Sequence, residues 1–244
     1  MQKNKIIILT REHADNAPLL ERLKRLDIET MDYPCIKTEI FPYQGDPIDG
    51  ITLEQFAAAA FSSRRGVRGM APVAERIRRS RFIIAAVGKT TALEIEKVTG
   101  RQADFIARPQ TGEGMALSLI EKLSPGSGVL HVRGSKTTGT FKTKMEDAGF
   151  RVHDLIVYEN REPDLKPIHH GRHPIVVFAS PSAAKTFYNA NPDVQVTATN
   201  IAIGQTTADY LKSLNIPNIH MARSPSDEGI MACIREILTS GFCF

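Results

Sequence analysis

AVGKTTALEI at residues 86–95 and AIGQTTADYL at residues 202–211 are nearly the same phrase. Each runs from small apolar residues through a glycine and two threonines into an alanine-led amphipathic stretch, the pattern of a strand turning into a helix. Other phrases recur at almost the same distance. FSSRRGV starts at 61 and FASPSAA at 178, 117 apart. Glu113 in RPQTGEGMALSLI and Glu228 in RSPSDEGIMACI are 115 apart, and Arg11 and Arg133, each after an apolar run, are 122 apart. The offset drifts as loop insertions and deletions would make it. The chain reads as a duplicated unit of about 120 residues, far longer than a solenoid repeat.

Around these phrases, short apolar runs alternate with amphipathic stretches. KIIIL (5–9), IETMDYP (28–34), FAAAAF (56–61), FIIAAVG (82–88), ADFIAR (103–108) and VLHVRG (129–134) read as strands. So do FRVHDLIVY (150–158), PIVVFAS (174–180), VTATNIAIG (196–204) and NIHMAR (218–223). APLLERLKRL (17–26) has helical spacing, with Leu19, Leu20, Leu23 and Leu26 on one face. Strands alternating with helices predict βα units and parallel sheets. The fold class expected is α/β: two similar lobes, each a parallel sheet flanked by helices, with a cleft between them. Two stretches rich in proline and charge, 38–49 and 159–174, read as linkers or crossovers.

Bulk properties narrow the function. The 244 residues include 42% hydrophobic residues, enough for real cores. The longest aliphatic run is too short for a membrane span, and IIIL is too short for a signal-peptide core, so a soluble cytoplasmic protein is expected. Cys35, Cys233 and Cys243 are widely spaced and odd in number, which argues against a disulfide framework or zinc site. Cys35 and Cys233 read as buried thiols and Cys243 as part of a loose tail. His169, His170 and His173 lie in a charged linker without metal-ligand spacing, and read as a solvated loop. The net charge of +4 favours acidic partners in general. The arginines of RRGVRG (64–69) and RIRR (76–79) read as a solvated helix face; a nucleic-acid surface would interleave aromatic residues.

The repeated phrases carry the chemistry. Parallel sheets bind ligands beyond the carboxyl ends of their strands, where helix first turns offer free N–H groups. Serine and threonine hydroxyls add donors there, and four such loops suit carboxylate or phosphate recognition. Taken singly, Thr90 or Thr206 also reads as a plain helix N-cap. GSKT (134–137) lacks the P-loop spacing, and Gly112, Glu113 and Gly114 read as a helix start. No Ser-His-Asp set can be nominated from spacing. Tyr158, at a strand end beside the second linker, is not duplicated: the equivalent position holds Ile36. A titratable ring present in one copy alone is a candidate for chemistry, and also reads as an ordinary strand-end tyrosine.

FSSRRGV (61–67), AVGKTTALEI (86–95), FRVHDLIVYENR (150–161), VVFASPSAAKTF (176–187), AIGQTTADYL (202–211) and PSDEGIMACI (225–234) together resemble the uroporphyrinogen-III synthase family, over nearly the whole length. The resemblance implies lobes that exchange chain: 1–37 plus 168–244 as one, 46–157 as the other, joined by linkers 38–45 and 158–167. It implies a cyclising hydro-lyase of haem and tetrapyrrole biosynthesis without metal or cofactor, acting on a small molecule rather than nucleic acid or membrane; a monomer is expected because no unaccounted apolar stripe is visible. The family closes the linear tetrapyrrole hydroxymethylbilane, which bears eight carboxylates, with inversion of its last pyrrole. By resemblance Tyr158 takes the place of the active-site tyrosine, an acid for the departing hydroxyl. Ser62, Ser63, Thr91, Ser180, Thr206 and Thr207 fall on substrate-binding hydroxyl positions and Arg65 on a basic one. The pattern departs at Ser62-Ser63-Arg64, where Thr-Ser-Pro is frequent, and at Ala179, so either Arg64 or Arg65 could carry the basic role. A non-catalytic two-lobe binder of a polyanion such as a tetrapyrrole is the alternative.

Overall fold

The computed structural model describes residues 5–168 and 173–240. His169, His170 and Cys243 lie outside them. The chain divides into two compact units, one of residues 1–37 with 161–244 and one of residues 38–160.

The first unit holds a five-stranded parallel sheet of β1 (Lys5–Leu9), β2 (Thr30–Asp32), β9 (His173–Phe178), β10 (Thr199–Ala202) and β11 (Ile219–Met221). Their order is β11-β10-β9-β1-β2. In β1 the run KIIIL buries both faces, as a central parallel strand does. Ile6 and Ile8 face one core and Ile7 and Leu9 the other. The first core takes Phe187 from α7 (Pro181–Ala190) and Leu211 from α8 (Gln205–Ser213). The second takes Leu19 and Leu23 from α1 (His13–Lys24) and Ile230 and Ile234 from α9 (Asp227–Ser240).

The second unit repeats the plan. Its sheet contains β3 (Lys37–Ile40), β4 (Ala58–Phe61), β5 (Ile83–Ala86), β6 (Phe105–Ile106), β7 (Gly128–Gly134) and β8 (Arg151–Arg161), in the order β3-β8-β7-β4-β5-β6. The pairings from β8 to β6 are parallel. Ala59 and Phe61 face a core shared with Val67 of α2 (Arg64–Gly69), Ile77 of α3 (Ala74–Arg79) and Ile95 of α4 (Lys89–Thr99). Ala58 and Ala60 face Met115 of α5 (Gly112–Ile120) and Phe141 of α6 (Thr140–Asp147). Phe61 and Phe178, at equivalent repeat positions, are both fully buried, each worth roughly 1.5–3 kcal/mol.

The sequence repeat and the compact units do not coincide. The recurring phrases align β1 and β2 with β7 and β8, and β4–β6 with β9–β11. Yet β1 and β2 share a sheet with β9–β11, and β7 and β8 share one with β4–β6. Each unit is thus assembled from both copies. The duplication is visible down to packing: a Cβ on Gly114 would lie 2.1 Å from the Pro109 carbonyl oxygen, and one on Gly229 would lie 2.2 Å from that of Ser224.

Four expectations change. The stretch 159–174 is not wholly linker, and His173 is not in a solvated loop: Glu159–Arg161 continue β8, and His173 opens β9 opposite Lys5 of β1. The first helix starts at His13 rather than 17, because buried Asn16 interrupts the apolar spacing while its amide donates to the Leu9 and Arg11 carbonyls. Leu26 falls beyond that helix and is exposed. The proline-rich stretch at 38–49 is not wholly linker: Lys37–Ile40 forms β3, and the Phe41 N–H reaches the Val157 carbonyl at 2.8 Å.

Candidate functional site

The loop after β4 places two serines on opposite faces of the second sheet. Ser63 is the N-cap of α2, accepting the Gly66 N–H at 3.0 Å. Its hydroxyl donates to the Tyr158 oxygen at 3.0 Å. Tyr158 lies near the end of β8, where its residue pairs with Gly134 of β7 beside a register shift. The ring rests on the Gly134 backbone, since a Cβ there would sit 2.6 Å from ring carbons. Glycine is needed for this approach, not for its φ. The equivalent Ile36 packs against the core of the first unit.

Ser62 turns the other way, with its Oγ 2.6 Å from Nε2 of His131 on β7. Nδ1 of His131 is 2.9 Å from Oδ1 of Asp154 on β8, the residue opposite it in register. Arg133 donates to both Asp154 oxygens, from Nε at 2.7 Å and from a terminal nitrogen at 3.2 Å. Lys142 is 3.6 Å from the same carboxylate. Burial pushes the His131 imidazole down to about 4, against the pull of Asp154 and with the help of Arg133 and Lys142. Burial would raise Asp154, but hydrogen bonding and charge from Arg133 and His131 hold it below the usual carboxylate value. Sequence spacing nominates neither His131 nor Asp154; a histidine inside the apolar run VLHVRG is a signal for His131, and Asp154 follows only from the β7–β8 register.

The helix starts after β5 and β10 are alike in backbone and unlike in surroundings. Gly88 and Gly204 are the cap residues of α4 and α8, with nearly identical extended φ and ψ. Thr90 and Thr206 are therefore not N-caps; they follow the cap by two residues and are exposed. Thr91 and Thr207, one residue on, are buried. Gln110 lies over Gly88 and accepts the Lys89 N–H at 3.3 Å, whereas nothing lies within 4 Å of a Cβ on Gly204. The expected free N–H groups are thus partly occupied in one copy. Ser180 caps α7 as Ser63 caps α2, accepting the Ala183 N–H at 3.2 Å. Ser63, Ser62, Tyr158, Arg65 and Thr91 belong to the second unit, and Ser180, Thr206 and Thr207 to the first. Arg64 is exposed and Arg65 half-buried. Of the other arginines in this stretch, Arg68, Arg76, Arg78 and Arg79 pair with Glu94, Glu54 and Glu75 on a solvated face.

A family model described as uroporphyrinogen-III synthase HemD matches residues 17–232. The chain belongs to the uroporphyrinogen-III synthase family. A uroporphyrinogen-III synthase from Chlorobaculum parvum is 28% identical over 233 residues, covering 87% of this chain and 90% of the relative. The chloroplastic uroporphyrinogen-III synthase of Oryza sativa subsp. japonica is 26% identical, covering 95% and 80%. The crystal structure of a uroporphyrinogen-III synthetase from Helicobacter pylori superposes with a TM-score of 0.66 at 22% identity, over 97% of this chain and 99% of that one. That likeness establishes the shared fold. Among the described residues of this family member, no group of three or more His, Cys, Asp or Glu side chains could hold a metal. Nor is any described helix long and apolar enough to cross a membrane. Cys35 and Cys233 are free buried thiols; burial pushes Cys35 up to about 12 and raises Cys233.

Proposed function

We propose that this chain is a uroporphyrinogen-III synthase, closing hydroxymethylbilane with inversion of ring D and release of water, and that Tyr158 is its acid. The observation that carries the assignment of the acid is the Ser63–Tyr158 hydrogen bond. With the serine proton lying between the two oxygens, the tyrosine's own proton is free to point to a departing hydroxyl. A neighbouring donor also stabilises the phenolate left after transfer. Loss of water leaves an electrophilic azafulvene. Ring D attacks it through its substituted carbon, giving a spiro intermediate that fragments and rejoins at the other carbon. Positioning of a flexible chain supplies the rest of the catalysis.

Ser180, Thr91, Thr206, Thr207 and a basic residue, Arg64 or Arg65, serve the substrate's carboxylates in this reading. Ser62 contacts the substrate and Ser63 acts through Tyr158. The enzyme works as a cytoplasmic monomer, needs no cofactor, and has no nucleic-acid or membrane partner. The family match and the presence of Tyr158 in one copy alone favour this over a non-catalytic polyanion binder.

The test is an isomer assay. Purified protein given hydroxymethylbilane is expected to yield the type III product by chromatography. Folded protein that leaves only the spontaneous type I isomer overturns the reading.

A further inference from the structure

We infer that His131 and Asp154 position Ser62 so that it meets the substrate as a hydrogen-bond acceptor, making it a seat for a pyrrole N–H and not for a carboxylate. This rests on the synthase reading. The argument is one of proton placement along a chain of three residues. Asp154, ionised and gripped by Arg133, offers only lone pairs at Oδ1, so the His131 Nδ1 at 2.9 Å carries the proton. His131 is nearly wholly buried and stays neutral near pH 7, so its Nε2 is bare. The Ser62 hydroxyl 2.6 Å away therefore donates inward to Nε2.

An oxygen whose only proton points inward shows lone pairs on its remaining side. A carboxylate brought to it would face acceptor against acceptor. A pyrrole N–H would find a partner. Ser62 stands just past the carboxyl end of β4, where parallel sheets present ligand contacts. It differs in this from Ser63 and Ser180, whose oxygens accept helix N–H groups. The same three residues in the same order make up the hydrogen-bond chain of a hydrolase triad, but here they do not activate a nucleophile. The Asp154 charge is matched by Arg133 and Lys142, which disfavour a proton on His131, so the imidazole is a poor base.

The test has two parts. Nitrogen-15 NMR of the histidine-labelled full chain near neutral pH reads the tautomer directly. A bare, pyridine-type Nε2 and a protonated Nδ1 are expected; the opposite tautomer or an imidazolium overturns the proposal. The second part is a double-mutant cycle on type III formation, with Ser62→Ala, His131→Leu and the double variant. Each single variant is expected to raise KM about three- to tenfold, the loss of one hydrogen bond, with kcat changed far less. The double variant is expected to be no worse than either single one. Multiplying KM losses, or unchanged KM in both folded single variants, overturns the proposal and leaves the synthase reading standing. Wild-type protein that forms no type III product removes both. If His131→Leu does not fold, the NMR result decides.

Discussion

Ser63 Oγ and Tyr158 Oη lie 3.0 Å apart, with the serine donating while its oxygen accepts the Gly66 N–H. One side chain thus closes a helix end and orients a phenol. A helix cap is bound to the backbone and cannot drift, so the phenol inherits the rigidity of the β4–α2 turn.

Tyr158→Phe is expected to keep the fold and lower kcat by about a hundredfold, within the usual range for losing a general acid. An unchanged turnover number takes the acid role from Tyr158. Ser63 separates its own two duties. Ser63→Gly, which caps almost as well, is expected to lower kcat with little change in Tm. Ser63→Ala adds the cap loss, about 1 kcal/mol by thermal or denaturant unfolding. Equal kcat in wild type and Ser63→Gly shows that the serine serves the helix alone.

Gly134→Ala tests the seat of the tyrosine ring. The new Cβ would lie 2.6 Å from ring carbons and 3.0 Å from the phenolic oxygen. The obstructing atoms are the far end of one side chain, so the ring swings aside at modest cost in stability. The expected result is a kcat loss approaching that of Tyr158→Phe with a Tm loss of a few degrees, about 1 kcal/mol. Full activity shows that the ring position is not critical.

Acid should weaken the fold through His131. Its value of about 4 lies below the ordinary 6.5, so the unfolded chain takes up a proton that the folded chain refuses. The stability this represents is complete above about 6.5 and is lost as pH falls toward 4, at most about 3 kcal/mol. Asp154, also held low, adds to the loss in more acidic solution. Tm measured from pH 7.5 to 4.5 should drop more steeply in wild type than in His131→Leu. Parallel profiles show that His131 is not the group responsible.

Much of this was readable beforehand because the determining interactions are local. KIIIL, FAAAAF and PIVVFAS announce buried strands by composition, and the glycine before each threonine pair announces the turn. What was hidden depends on partners distant in sequence. β3 lies in a stretch of proline and charge and exists because β8 runs on to Arg161 and offers it an edge. Asn16 looks like a break in an amphipathic face until its carbonyl partners are seen. His131 reads as one polar residue in a strand; only the β7–β8 register brings Asp154 opposite it, and only the β4–β7 pairing brings Ser62 within reach. The Ser63–Tyr158 contact spans 95 residues, so no spacing rule could supply it.

The exchange of strands between the two copies has a consequence for synthesis on the ribosome. β1 is flanked by β2 on one side and β9 on the other. At about 5–20 residues per second, the segment that must join it emerges roughly ten to thirty seconds later. Until then β1 can pair with β2 alone and its other edge stays open, while the unit of residues 38–160 can mature first from its own contiguous stretch. Nascent chains should therefore depend on chaperones at their amino-terminal end.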